Sequence, residues 1–120
     1  MTAIIYHNPR CSKSRQALEL LRERGIEPRV VEYLKTPPDA ATLRGLLRML
    51  GCPARELLRR GEEAYAGLGL AAGLEDDDAV IAAMVEHPVL IERPVIVVGE
   101  RAVIGRPPEK LLALLADTAR

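Results

Sequence analysis

The chain has 120 residues, 48% of them hydrophobic and 28% charged, and its 17 basic residues balance 17 acidic ones. That length supports one hydrophobic core, and the composition excludes a wholly disordered chain. The even charge balance argues against a general nucleic-acid binder or a membrane-surface protein, and no nucleic-acid or membrane partner is expected.

In chain order, residues 3–6 (Ala-Ile-Ile-Tyr) form a short apolar run suited to a buried strand, ended by His7-Asn8-Pro9. From Ser14 the pattern turns helical, with Ala17, Leu18 and Leu21 on one face and Gly25 at the C-cap. Pro28 leads into Arg29–Tyr33, where Val30, Val31 and Tyr33 fit a second strand. Thr36-Pro37-Pro38-Asp39 reads as a break followed by an N-cap. Leu43, Leu46, Leu47 and Leu50 then recur at helical spacing up to Gly51. Pro53 opens a shorter helix through Leu57 and Leu58, a Gly- and Ala-rich loop follows, and Asp76-Asp77-Asp78 precedes a helix over Ala79–Val85.

Residues 95–98 (Val-Ile-Val-Val) are a strong strand signal. Gly99-Glu100 places glycine first, as a type II′ hairpin turn requires, and Ala102-Val103-Ile104 returns as the partner strand. Gly105-Arg106-Pro107-Pro108 opens a last helix whose apolar face is Leu111, Leu112, Leu114 and Leu115. The order is β-α-β, a helical insertion over about 37–90, then β-β-α. An α/β sandwich with a parallel first pair of strands and a terminal hairpin fits it. Pro94 stands directly before a strand, where a cis bond can occur, although the general preference of X–Pro bonds is trans.

With no Phe or Trp and only Tyr6, Tyr33 and Tyr65, the core must be aliphatic. No basic-then-apolar leader opens the chain, and no apolar run reaches the ~18 residues of a membrane span, so neither is expected. Two cysteines, Cys11 and Cys52, are too few for a disulfide scaffold or a four-cysteine zinc site. Free thiols in a reducing, cytoplasmic compartment are the expectation.

Cys11 lies between the first strand and the first helix. A thiol there faces the positive end of a helix dipole and free backbone N–H groups, which lower its pKa and also hold an anion. Arg10, Lys13 and Arg15 add positive charge, and His7 is four residues upstream. A small hydrophobe filling a gap is the plainer role for cysteine, but polar neighbours on both sides favour a reactive thiol. Cys11-Ser12-Lys13-Ser14 has the frame of a Cys-x-x-Cys motif with serine in the second position. Ser14 cannot resolve a mixed disulfide, but its hydroxyl can donate to the thiolate and help cap the helix. The resolving thiol must be Cys52 or external, and Cys52, between Gly51 and Pro53, reads as a structural cysteine.

His7-Asn8-Pro9-Arg10-Cys11-Ser12-Lys13-Ser14-Arg15 closely resembles the active-site segment of glutaredoxin-coupled arsenate reductases. The resemblance continues through Tyr33-Leu34, Thr36-Pro37-Pro38, Glu56-Leu57-Leu58-Arg59, His87-Pro88-Val89-Leu90-Ile91-Glu92-Arg93-Pro94 and Gly105-Arg106-Pro107. It implies a thioredoxin-like fold, a mixed four-stranded sheet flanked by helices with a helical insertion. It further implies that Cys11 attacks arsenate, that Arg59, Arg93 and Arg106 bind the oxyanion, and that His7 and Ser14 support the thiolate. Glutathione as co-substrate and glutaredoxin as partner would return the enzyme to its thiol form, with no bound cofactor.

Each assignment has a plainer counterpart. Arg59 adjoins Arg60 on a polar helix face, where an arginine is usually just solvated. Arg93 and Arg106 rank higher because each precedes a proline beside a strand or helix start. His87, at a helix end before Pro88, fits a structural role better than a catalytic one. Asp76–Asp78 fit helix capping better than metal binding, and no metal is expected. Two other functions remain on this scaffold: a monothiol reductase acting on glutathione mixed disulfides or another oxyanion, and a non-enzymatic regulator that binds RNA polymerase and uses a Cys-x-x-Cys switch. Ser14 counts against the latter.

Overall fold

Alternation in the first strand decides which side chains face the core. In the computed structural model, which describes residues 2–118, β1 (Ala3–His7) buries Ala3, Ile5 and His7 and leaves Ile4 and Tyr6 half-buried. His7 therefore belongs to the strand, one residue beyond the apolar run, and its side chain shares the face of Ile5. Helix α1 (Ser12–Glu23) follows, and Gly25 (φ 76°) takes the left-handed conformation just past its end. Next comes β2 (Arg29–Glu32), which pairs parallel to β1 with Tyr6 opposite Val31 and His7 opposite Glu32. The strand ends there, so Tyr33 lies in the following turn.

The chain separates into two compact units. One combines the segment up to Thr36 with the segment from Arg93 onward; the other is Pro37–Glu92. The first holds a four-stranded mixed sheet in the order β2-β1-β3-β4, with β3 (Val95–Val98) antiparallel to β1 and to β4 (Arg101–Ile104). All four β3 side chains are buried, which is why that segment reads as an unbroken apolar run. At the hairpin Gly99 has φ 62°, and among the described residues no non-glycine has positive φ, as the expected turn requires. A 3₁₀ turn (Pro108–Lys110) precedes α5 (Leu111–Thr118). Ala17 and Leu21 of α1 and Leu111 and Leu114 of α5 close over Ala3, Ile5, Ile96 and Val98 of the sheet. The β-α-β and β-β-α halves thus share one aliphatic core, the mixed α/β sheet flanked by helices that was expected.

The second unit is helical. Asp39 caps α2 (Ala40–Leu50) by accepting the Thr42 N–H at 2.8 Å, and Gly51 ends it at φ 69°. A 3₁₀ turn (Ala54–Leu57) replaces the expected short helix. The Gly- and Ala-rich loop contains a short helix, α3 (Glu63–Gly67), and a 3₁₀ turn (Leu70–Gly73). Helix α4 (Asp77–Glu86) packs against α2, burying Val80, Ile81 and Met84 beside Leu43, Leu46 and Leu47. The three aspartates are all engaged: Asp76 caps α4 through the Ala79 N–H, Asp77 accepts from the Ala54 N–H, and Asp78 pairs with Arg44 at 3.0 Å. His87 ends α4 by donating its N–H to the Ala83 carbonyl. Among the described residues no helix is long and apolar enough to cross a membrane.

Candidate active site

The sheet ends place Cys11. After β1 the chain turns tightly, with the Cys11 N–H donating to the Asn8 carbonyl and the Arg10 N–H to Asn8 Oδ1, both at 3.0 Å. That turn makes Cys11 the N-cap residue of α1, extended at φ −92° and ψ 121°, with its half-buried sulfur at the helix start. Cys11 is a free thiol, and its pKa is lowered. Burial alone would raise it, but the Ser14 N–H, the Arg93 guanidinium and the Lys13 N–H together outweigh that effect.

Two arginines distant in sequence complete the surroundings of the sulfur. Arg93 stands at the entrance to β3, and both its hydrogen bonding and its charge act on the thiol. Arg106 follows β4, and its Nη1 lies 3.9 Å from Cys11 Sγ and donates to the Arg93 carbonyl at 3.4 Å. Gly105 allows this approach. A Cβ there would stand 2.7 Å from Ile96 Cδ1 and 3.0 Å from the Pro94 ring, so no larger residue enters without moving its neighbours. The Arg93–Pro94 and Arg106–Pro107 bonds are both cis. The sequence leaves the Pro94 isomer open with trans favoured, and the bond present is cis; the intrinsic preference is only about 0.5–1 kcal/mol.

His7 and Ser14 are brought together, but the Ser14 hydroxyl does not serve as expected. Ser14 is fully buried on the inner face of α1, and its Oγ lies 2.6 Å from His7 Nδ1 while accepting the Asn8 N–H at 3.1 Å. Its oxygen is thus turned into the protein, and the backbone N–H of Ser14, not its hydroxyl, acts on the sulfur. Burial lowers the His7 pKa, partly opposed by Glu32 and reinforced by Arg22 and Arg15. The shift favours the neutral ring, and His7 braces the loop through Ser14.

The remaining candidates lie in the helical unit. There Leu58 bridges to Ile91, flanked by the Arg59 N–H donating to the Leu90 carbonyl and the Glu92 N–H to the Leu57 carbonyl, both at 2.7 Å. This pairing sets Arg59 between two carboxylates, with Nη1 3.5 Å from Glu62 and Nε 3.6 Å from Glu92. Cys52 has a raised pKa, chiefly from burial and further from Glu56 and Asp77, as suits a structural thiol. Two site neighbours have no role assigned from the sequence. Asn8 and Tyr33 both lie in the segments that carry the resemblance, but otherwise read as a strand terminator and a strand residue.

Relatives fit this arrangement. The ArsC family matches residues 6–114. An arsenate reductase of Neisseria meningitidis is 47% identical over 112 residues, covering 92% of this chain and 96% of the relative. The protein YfgD of Escherichia coli K12, described as uncharacterized, is 56% identical over 92% of this chain and 94% of its own length. The solved structure of an arsenate reductase from Vibrio cholerae superposes with a TM-score of 0.91 at 48% identity, covering 94% of this chain and 97% of that one. With its sheet, its thiol at the start of α1 and a match spanning residues 6–114, the chain belongs to the ArsC family.

Proposed function

We propose that the protein is an arsenate reductase coupled to glutathione and glutaredoxin. One observation carries the reading: a thiol of lowered pKa at a helix N-terminus, with the Arg106 guanidinium 3.9 Å from its sulfur and Arg93 acting on the same atom. A thiolate alone serves many redox reactions, but two guanidinium groups beside it match a tetrahedral oxyanion. Relatives bearing the name arsenate reductase direct the choice toward arsenate.

The chemistry runs in three steps. The Cys11 thiolate attacks arsenic, forming an S–As bond, while one arsenate oxygen leaves as water after protonation. A glutathione thiolate then attacks Cys11 Sγ. A disulfide forms, and the S–As electron pair passes to arsenic, reducing As(V) to As(III), which departs as arsenite. Two thiols have lost the two electrons that arsenic gained. Thiol exchange with glutaredoxin then restores Cys11. Through these steps Arg93 and Arg106 hold the charge of the anion and its adduct.

Turnover of arsenate by the full chain with glutathione and glutaredoxin, abolished in Cys11→Ser, is the expected result. Wild-type protein that leaves arsenate unreduced while cleaving a glutathionylated peptide would replace this reading with the disulfide-reductase one. An Arg59→Ala variant with an unchanged KM for arsenate would remove the third arginine from the assignment.

A further inference from the structure

Tyr33 follows directly on β2, one residue past the His7–Glu32 pair, and so stands at the strand ends where the Cys11 loop begins. Its residue is 1% exposed, and its hydroxyl makes no hydrogen bond of good geometry among the described residues, although Arg93 and Asn8 are polar neighbours that act on it. A buried hydroxyl without a partner costs roughly 1–3 kcal/mol, so its retention in a packed site calls for a reason.

The neighbours supply one. Burial pushes the Tyr33 pKa up to about 12, so the group stays a neutral O–H at any working pH, and its other influences are Arg93, Cys11 and Asn8. Arg93 is donor-only and cannot take the Tyr33 proton. Asn8 Oδ1 accepts from the Arg10 N–H and makes no hydrogen bond of good geometry to the Tyr33 hydroxyl. An oxygen of an anion brought to Arg93 and Cys11 is an acceptor that fits this proton.

We propose that the Tyr33 hydroxyl donates a hydrogen bond to one oxygen of the oxyanion bound at Cys11, a bond made only when the anion is present. This inference rests on the arsenate-reductase reading and adds a substrate contact to it. A neutral donor beside two cations serves the reaction without adding charge to the pocket, and it can follow the oxygen from free anion to thiol adduct.

Tyr33→Phe removes one oxygen and keeps the ring. The variant should show a KM for arsenate and an inhibition constant for inorganic phosphate each raised roughly tenfold or more. Its anion-free melting temperature should be unchanged or higher, because the unmatched hydroxyl is gone; a purely structural tyrosine would not weaken the anion while sparing the fold. Unchanged KM and phosphate inhibition in Tyr33→Phe, beside an active wild type, would overturn the Tyr33 contact alone. A wild type that neither reduces arsenate nor responds to phosphate would overturn both this contact and the function beneath it. A second readout does not need the Phe variant to fold. In a chain carrying Tyr6→Phe and Tyr65→Phe, phosphate should shift the absorbance of the remaining tyrosine to longer wavelength, and a spectrum indifferent to saturating phosphate would likewise overturn the proposal.

Discussion

Ser14→Ala isolates the brace beneath the nucleophile. Ser14 Oγ is fully buried and satisfies two groups at once, His7 Nδ1 at 2.6 Å and the Asn8 N–H at 3.1 Å. Alanine leaves both unmatched in the interior. Each such group costs about 1–3 kcal/mol, and because the two share one atom the losses do not simply add, giving about 2–4 kcal/mol in total. At ~2.1 cal/mol/K per residue, 120 residues give an unfolding entropy of about 0.25 kcal/mol/K, so the melting temperature should fall by about 8–16 °C. Calorimetry of the reduced protein measures this directly. Thiolate absorbance followed against pH provides the second half of the test. The Ser14 and Lys13 N–H groups and Arg93 all survive the substitution, so Cys11 should still titrate below an ordinary thiol. A melting shift under about 2 °C would refute the energetic argument. A Cys11 thiol returned to its ordinary pKa in a folded variant would mean that the hydroxyl, and not the backbone, holds the thiolate.

Further expectations concern the rest of the site. Gly105→Ala drives a methyl against buried Ile96 and the Pro94 ring; a loss of about 1–3 kcal/mol together with reduced kcat/KM is expected, and a wild-type melting curve would show that the contact relaxes freely. Arg93→Lys keeps the charge but loses the planar fork, so kcat/KM for arsenate should drop roughly ten- to hundredfold, whereas kinetics within twofold of wild type would contradict a bidentate role. His7 has a depressed pKa in the folded state, so the unfolded chain binds the proton first. The stability contribution of neutral His7 is present above about pH 6.5 and is lost as pH falls through its folded value, and a melting profile equally steep in His7→Gln would assign that loss to other groups. At neutral pH iodoacetamide should modify Cys11 well before Cys52, whose pKa moves the opposite way; mass spectrometry finding Cys52 alkylated first would reverse the assignment of the nucleophile.

The features legible in the sequence are those settled within a turn or two of chain. Asp39 and Asp76 cap helices because a carboxylate reaches N–H groups three residues on, and Gly51 and Gly99 adopt positive φ because they lack a Cβ. The unbroken apolar run 95–98 announced a strand covered on both faces, and the position of Cys11 between strand and helix announced an activated thiol. Even here the reach of local pattern was finite: His7 extended β1, and Tyr33 fell outside β2, because ladder hydrogen bonds rather than side-chain type end a strand.

What only the tertiary structure decided is how distant groups meet. Arg106 reaches Cys11 across 95 residues because β4 returns antiparallel beside β3, and Gly105 leaves room for its backbone against Pro94 and Ile96. The Ser14 hydroxyl is turned away from the thiol because the inner face of α1 packs over the same side of the sheet that carries His7. Tyr33 lies beside the nucleophile because β2 runs parallel to β1 and the two strands end together. Capping, periodicity and turn chemistry depend on neighbours along the chain, whereas strand register and core packing depend on contacts that exist only once the whole sheet has formed, and those contacts aim the side chains at Cys11.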